Sequence, residues 1–218
     1  MKIKNIAALC KNRNTIYLYD APEINGFIQQ WIGDGNSFYP ITNLPYMSIS
    51  NVCNLFELSA KQLSDFNLQH ETLPDLNFKD NADYEIQLDP DPIWIIYQGK
   101  YLKPWASSEK PLYVEGKYLK PLADAAEYLK LFERRSSTGQ PYIVAKTGFI
   151  LAAVIMPCDV ITEAFVDAVE SLARRSRREL NTRGYHADKV VEQMTLMYGG
   201  KRLDTSTGEV LEEEEEES

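Results

Sequence analysis

The sequence predicts an α+β fold. Three observations carry the prediction: one order of elements occurs twice, a long polar stretch separates the copies, and an amphipathic helix follows the second. The copies span residues 2–41 and 111–157. Each reads as a short helix, an apolar strand and a hairpin, so the repeat is one of element order rather than of letters. Neither copy can bury a sheet alone, and the two are read as halves of one domain.

In the first copy Ile6, Leu9 and Cys10 share one helical face at i, i+3, i+4 spacing, and residues 12–14 break the helix. Residues 15–20 (TIYLYD) are β-branched and aromatic and read as a strand. Residues 21–27, with Pro22 and Gly26, form a loop. Residues 29–33 and 37–41 flank Asp34-Gly35, a hairpin signal. Val52, Leu55, Phe56, Leu58 and Leu63 predict one helix, or two with a break near Ser59, capped by Ser48 or Ser50. Residues 67–92 are polar and acidic and predict a long connection with one short strand at 84–88. Residues 93–97 (IWIIY) read as a strand that turns at Gln98-Gly99 and returns over 100–105; residues 112–115 form another.

The second copy places Tyr118, Leu119 and Leu122 on one face of a short helix, with Pro121 in its first turn. Strands follow at 128–132, 142–146 and 149–156, the last two joined at Thr147-Gly148. The phrase GKYLKP at 99–104 and again at 116–121 is a chance echo, since the first lies in a hairpin and the second opens a helix. Residues 159–183 predict the clearest helix, with Ile161, Phe165, Val169, Leu172 and Leu180 as its apolar stripe. Glu163, Asp167 and Glu170 fall in its first half and Arg174, Arg175, Arg177 and Arg178 in its second, which suits the helix dipole. The expected organisation is a domain over 1–158, with halves 1–47 and 108–158 and connection 48–107. A helical extension over 159–198 and a disordered acidic tail over 199–218 complete it.

The net charge is −9, but residues 212–217 are six consecutive glutamates, and removing them leaves −3. Such a run cannot pack. It could mimic nucleic acid, recruit a basic partner, screen the arginines or keep the chain soluble. The three cysteines, Cys10, Cys53 and Cys158, lack CxxC spacing, which argues against disulfides and zinc. The longest apolar run, 149–157, is too short to span a bilayer, and the N-terminal stretch lacks a cleavage site. A cytoplasmic protein without membrane contact is expected.

No arrangement of residues predicts catalysis. The only histidines, His70 and His186, lie in polar segments, and Gly33-Asp34-Gly35 is too short for a phosphate loop. The chain is read as no enzyme, with no cofactor and no metal. The one dense basic patch is Arg174, Arg175, Arg177 and Arg178. It reads either as a phosphate-contacting face or as a solvated helix end.

The string PLYVEGKYLKPLADA, followed by strands closing on FILAAVIMP, resembles the last part of bacterial β sliding clamps. Tyr118, Leu119 and Leu122 match the family's helix pattern, and Val154, Ile155, Met156 and Pro157 its closing strand. Cys158 and Asp159 stand where the family has a closing basic residue, and the chain continues beyond. The resemblance implies two βαβββ halves forming one clamp-like domain, with its short helices facing DNA. Lys11, Arg13, Lys117 and Lys120 would then be the phosphate-facing residues. It also implies that Ile155, Met156 and Pro157 border a cleft for a polymerase or other replication or host protein. A ring would need a homo-oligomer of six single-domain chains.

The expected function is therefore that of a non-enzymatic DNA replication accessory protein, from a phage or mobile element, which holds duplex DNA by its phosphate backbone. The alternative is an acidic protein-interaction module or inhibitor of a host nucleic-acid-processing system.

Overall fold

A computed structural model describes residues 2–22, 28–72, 75–182, 197–198, 201–203 and 210–211. The fold is α+β, and the chain divides into two compact units, Met1–Cys158 and Asp159–Ser218.

The first unit opens with α1 (Ile3–Arg13), which buries Ile6, Leu9 and Cys10. Asn14 ends it in a left-handed conformation, φ 49°, a state asparagine tolerates better than most residues. Strands β1 (Thr15–Pro22), β2 (Ile28–Gly33) and β3 (Ser37–Pro40) follow as an antiparallel meander. The β2–β3 turn is built on the buried Asp34, whose Oδ1 accepts from the Asn36 and Ser37 backbone N–H groups at 3.0 and 2.9 Å. Two short helices then appear, α2 (Ile49–Leu55) and α3 (Ala60–Asp65). Ser48 and Ser59 start them with capping boxes to Asn51 and Gln62.

Strand β4 (Asn67–Thr72) pairs parallel with β1. The sequence reading places only connection here, because an edge strand needs no clear apolar alternation. Strands β5 (Ile86–Gln87), β6 (Asp89–Pro90), β7 (Ile95–Tyr97), β8 (Lys100–Ala106) and β9 (Leu112–Glu115) follow. The expected strand at 93–97 is shorter, and Ile93 and Ile96 stay nearly half exposed. β8 pairs with β6, β7 and β9 in a separate small sheet.

The predicted helix of the second copy is a 3₁₀ helix, Gly116–Tyr118 and then Lys120–Tyr128. Pro121 supplies no N–H there, and Leu122 N–H donates to Leu119 O at 2.9 Å, a three-residue spacing. A second antiparallel meander follows: β10 (Leu129–Arg135), β11 (Pro141–Thr147) and β12 (Ile150–Ile155).

The main sheet has the order β4-β1-β2-β3-β12-β11-β10-β5. Strands β3 and β12 join the two meanders edge to edge, Phe38 opposite Val154 and Ser37 opposite Ile155. The period-two alternation of each strand sends side chains to opposite faces. Ile16, Leu18, Ile143 and Ala145 face a core formed with α1, α2 and the 3₁₀ helix. Tyr19, Trp31, Phe38, Tyr142 and Val144 face a second core, closed by Leu76 and Phe78 from the long connection.

A buried ionic cluster fastens that connection. Arg134 on β10 is 1% exposed and uses all its N–H donors. Nε and Nη2 reach Glu85 Oε2 at 2.8 and 2.6 Å, Nη1 reaches Asn77 O and Lys79 O, and Nη2 reaches Asp80 O. Lys146 Nζ holds Glu85 Oε1 at 2.5 Å. Burial pushes the Glu85 carboxyl up, but the bonds from Lys146 and Arg134 outweigh it and hold it below its ordinary 4.5. A carboxyl lowered on folding adds stability above its unfolded pKa and loses it as pH falls through the folded value. Urea midpoints should therefore be flat from neutral pH to about 4.5 and fall below it, more steeply in the native protein than in Glu85→Gln.

In the second unit α4 covers Glu163–Thr182. It begins four residues later than the sequence suggests, because Thr162 Oγ1 accepts from Phe165 N–H at 3.2 Å as an N-cap. Met197–Tyr198 (β13), Lys201–Leu203 (β14) and Val210–Leu211 (β15) form an antiparallel sheet. This corrects the reading of a helix reaching 198 and a wholly disordered tail from 199: those runs carry Met, Tyr, Leu and Val, which suit a sheet. The glutamate run 212–217, His186 and the helix expected over 187–196 lie outside the described residues. No helix among the described residues is long and apolar enough to cross a membrane.

Candidate nucleic-acid interface

α1 and the 3₁₀ helix lie side by side on one face of the main sheet. Lys2 N–H donates to Pro121 O at 2.9 Å, and Asn5 Nδ2 to Lys120 O at 3.0 Å. Lys2 Nζ also pairs with Asp124 at 3.0 Å. Tyr118, in the first turn of the 3₁₀ helix, is buried between strand and helix. Its carbonyl accepts from Tyr39 Oη at 2.6 Å, and its Oη from Asn36 Nδ2 at 3.0 Å.

With Ile6, Leu9 and Cys10 turned inward, the outward side of α1 carries Lys4, Ala8 and Lys11. Arg13, in its last turn, is exposed as well, and α1 contains no acid. Its cations at Lys11 and Arg13 also suit the C-terminal end of the helix dipole. Of the expected residues, Lys11, Arg13 and Lys120 are therefore available to a phosphate. Lys117 is not: its Nζ pairs with Glu115 at 2.8 Å and lies 5.0 Å from the Tyr118 ring centre. Burial works against its charge, but the Glu115 carboxylate more than compensates and raises the Lys117 pKa. Lys4 was missed by the sequence reading. The signal was its seven-residue spacing from Lys11, which puts both on one helical face.

Arg174, Arg175, Arg177 and Arg178 are all exposed on α4, in the second unit. Arg174 reaches Glu170 loosely, Nε donating to its backbone O at 3.4 Å and Nη2 lying 3.7 Å from its carboxylate, on a well-solvated surface.

The expected partner cleft at 155–157 needs correction. Ile155 is fully buried in the helix-side core, opposite Ile143 and Ser37. Met156 packs against the second core, and Pro157 is half-buried. A closing strand at the seam of two meanders is covered on both faces, which leaves Ile155 no surface to offer. An apolar depression lies elsewhere, lined by Ile3, Ile41, Leu44, Met47, Leu55 and Phe56. Leu44 and Leu55 are exposed at its rim.

Another polar cluster off this interface lies at the β1–β4 edge. Asp20 accepts from Gln30, Tyr46 and His70 at 2.9, 2.8 and 3.0 Å. Burial raises the Asp20 pKa, but these bonds prevail and lower it. Among the described residues, no group of three or more His, Cys, Asp or Glu is arranged to hold a metal ion. Burial raises the thiols of Cys10, Cys53 and Cys158, so none is activated as a thiolate.

No protein-family model matches the chain, and no curated protein or solved structure matches it.

Proposed function

We propose that this chain is a non-enzymatic DNA replication accessory protein of the sliding-clamp kind. It closes around duplex DNA as a homo-oligomer and holds the phosphate backbone without reading bases. The observation that carries the reading is the mirrored order of the two meanders about β3 and β12: β1-β2-β3 on one side, β10-β11-β12 on the other; the edge strands differ, β4 running parallel to β1 and β5 antiparallel to β10. Two similar halves related by a twofold axis would give that order, each with its helix on the same face of the sheet. The reading is further supported by α1, whose outward side presents lysines and no acid. Charge of this kind suits backbone contacts, which position a protein on DNA without sequence information. The apolar depression beside Leu44 and Leu55 takes the role of the cleft for a short apolar motif of a polymerase or another replication protein.

Duplex binding at increasing salt tests this. Each phosphate contact contributes about 0.9 to the slope of log K against log salt. Lys4→Ala with Lys11→Ala should flatten the slope by about 2, and Lys117→Ala should leave it unchanged. No binding at low salt would sink the proposal. Light scattering should give a multiple of the 24.9 kDa chain; a single-chain mass at high concentration would remove the ring.

A second reading, an acidic interaction module or inhibitor of a host nucleic-acid-processing system, is favoured by the −9 charge and the six consecutive glutamates. It predicts capture of a basic protein and no affinity for DNA.

A further inference from the structure

Helix α4 carries an apolar stripe that stays about half exposed. Val166, Val169, Leu172 and Leu180 are 41%, 44%, 58% and 46% exposed, although they share one side of the helix. The middle of the stripe is Ala173 and Ser176, small enough to let a second backbone approach closely. A soluble surface rarely leaves such a stripe open. The question is what covers it, and the charges answer it.

The acids Glu163, Asp167 and Glu170 occupy the first half of the helix, and Arg174, Arg175, Arg177 and Arg178 dominate the second, with Glu179 as its single acid. A copy of the same helix laid antiparallel brings each acidic half onto the other's basic half. A parallel copy sets like charge on like. An anionic membrane or a nucleic acid would attract only the second half and repel the first. The edge positions sharpen the match. Glu170 and Arg177 are seven residues apart, so both lie along the same edge of the stripe. In an antiparallel helix pair, the same edges of the two helices meet. With the crossing near Ala173, Glu170 of each copy faces Arg177 of the other. Arg174 and Arg178 point away from the stripe and stay in solvent.

We infer that α4 is a self-association helix, which pairs antiparallel with α4 of a second copy of this chain through Val166, Val169, Ala173 and Leu180. This does not rest on the DNA-binding reading, since it concerns only the second unit and needs no DNA.

Disulfide trapping in the full-length protein reads the geometry directly. Ala173→Cys should cross-link to itself under mild oxidation and give a two-chain band on a non-reducing gel. Val166→Cys and Leu180→Cys should each fail alone and cross-link when mixed. Self-cross-linking at 166 and at 180 would instead mean a parallel pair and overturn the proposal. Arg177→Glu should weaken pairing about tenfold, since two exposed ion pairs become two repulsions. Adding Glu170→Arg to that variant should restore the Ala173→Cys cross-link. If Ala173→Cys stays uncross-linked at high concentration, the stripe is covered by residues 183–198 of its own chain or by another partner, and the proposal fails. Co-sedimentation of the uncross-linked protein with phosphatidylglycerol vesicles would identify a membrane as that partner. Failure here leaves the salt dependence of DNA binding untouched, so the two proposals fall separately.

Discussion

Arg134→Ala should destabilise the first unit by about 3–5 kcal/mol, the cost of breaking a buried ion pair by removing one partner. The side chain is 1% exposed, and its removal takes both bonds from Glu85 Oε2, leaves Lys146 as the one remaining cation on that carboxylate, and orphans the carbonyls of Asn77, Lys79 and Asp80. The net worth of the cluster is smaller than this cost, because burying three charged groups was itself expensive. The large number comes from leaving Glu85 Oε2 and three carbonyls without their donors. Urea unfolding followed by far-UV circular dichroism checks it. A loss under 1 kcal/mol would mean that water reaches the cluster, and the connection would not be fastened as described.

Phe78→Ala should cost a similar amount, about 3–5 kcal/mol for a large aromatic removed from a core. Phe78 is 8% exposed and stands edge-on to Trp31 and Phe38, at 4.9 and 6.0 Å between ring centres. It is the main apolar contact by which the long connection closes the second face of the sheet. Its loss should open that face to water and shift Trp31 emission to the red. Because Phe78 and Arg134 fasten the same segment, the double variant should lose less than the two losses added together. Full additivity would show that the two anchors act on independent pieces of structure.

These anchors also show what the sequence made legible. The meanders were readable because their strands are β-rich runs bounded by turn signals, such as Asp34-Gly35 and Thr147-Gly148. The joining of β3 to β12 was not readable, since nothing local in Phe38 or Val154 names a partner more than a hundred residues away. Nothing local in LKLFERR marks Arg134 for burial. Only the return of the connection over that strand buries it. Strand β4 was hidden for the opposite reason: its residues are polar, and its place at the sheet edge comes from backbone pairing with β1. At the candidate interface Lys11, Arg13 and Lys120 could be named in advance. Lys117 could not be discounted, because its pairing with Glu115 depends on the turn into the 3₁₀ helix. Ile155 was misjudged for want of the same long-range seam.

The central claim is that this protein encircles duplex DNA. The most direct measurement is retention on DNA of different topology during gel filtration at moderate salt. The protein should stay with a nicked circular plasmid and be lost when the same plasmid is cut once. Equal retention on both forms, or on neither, would contradict it.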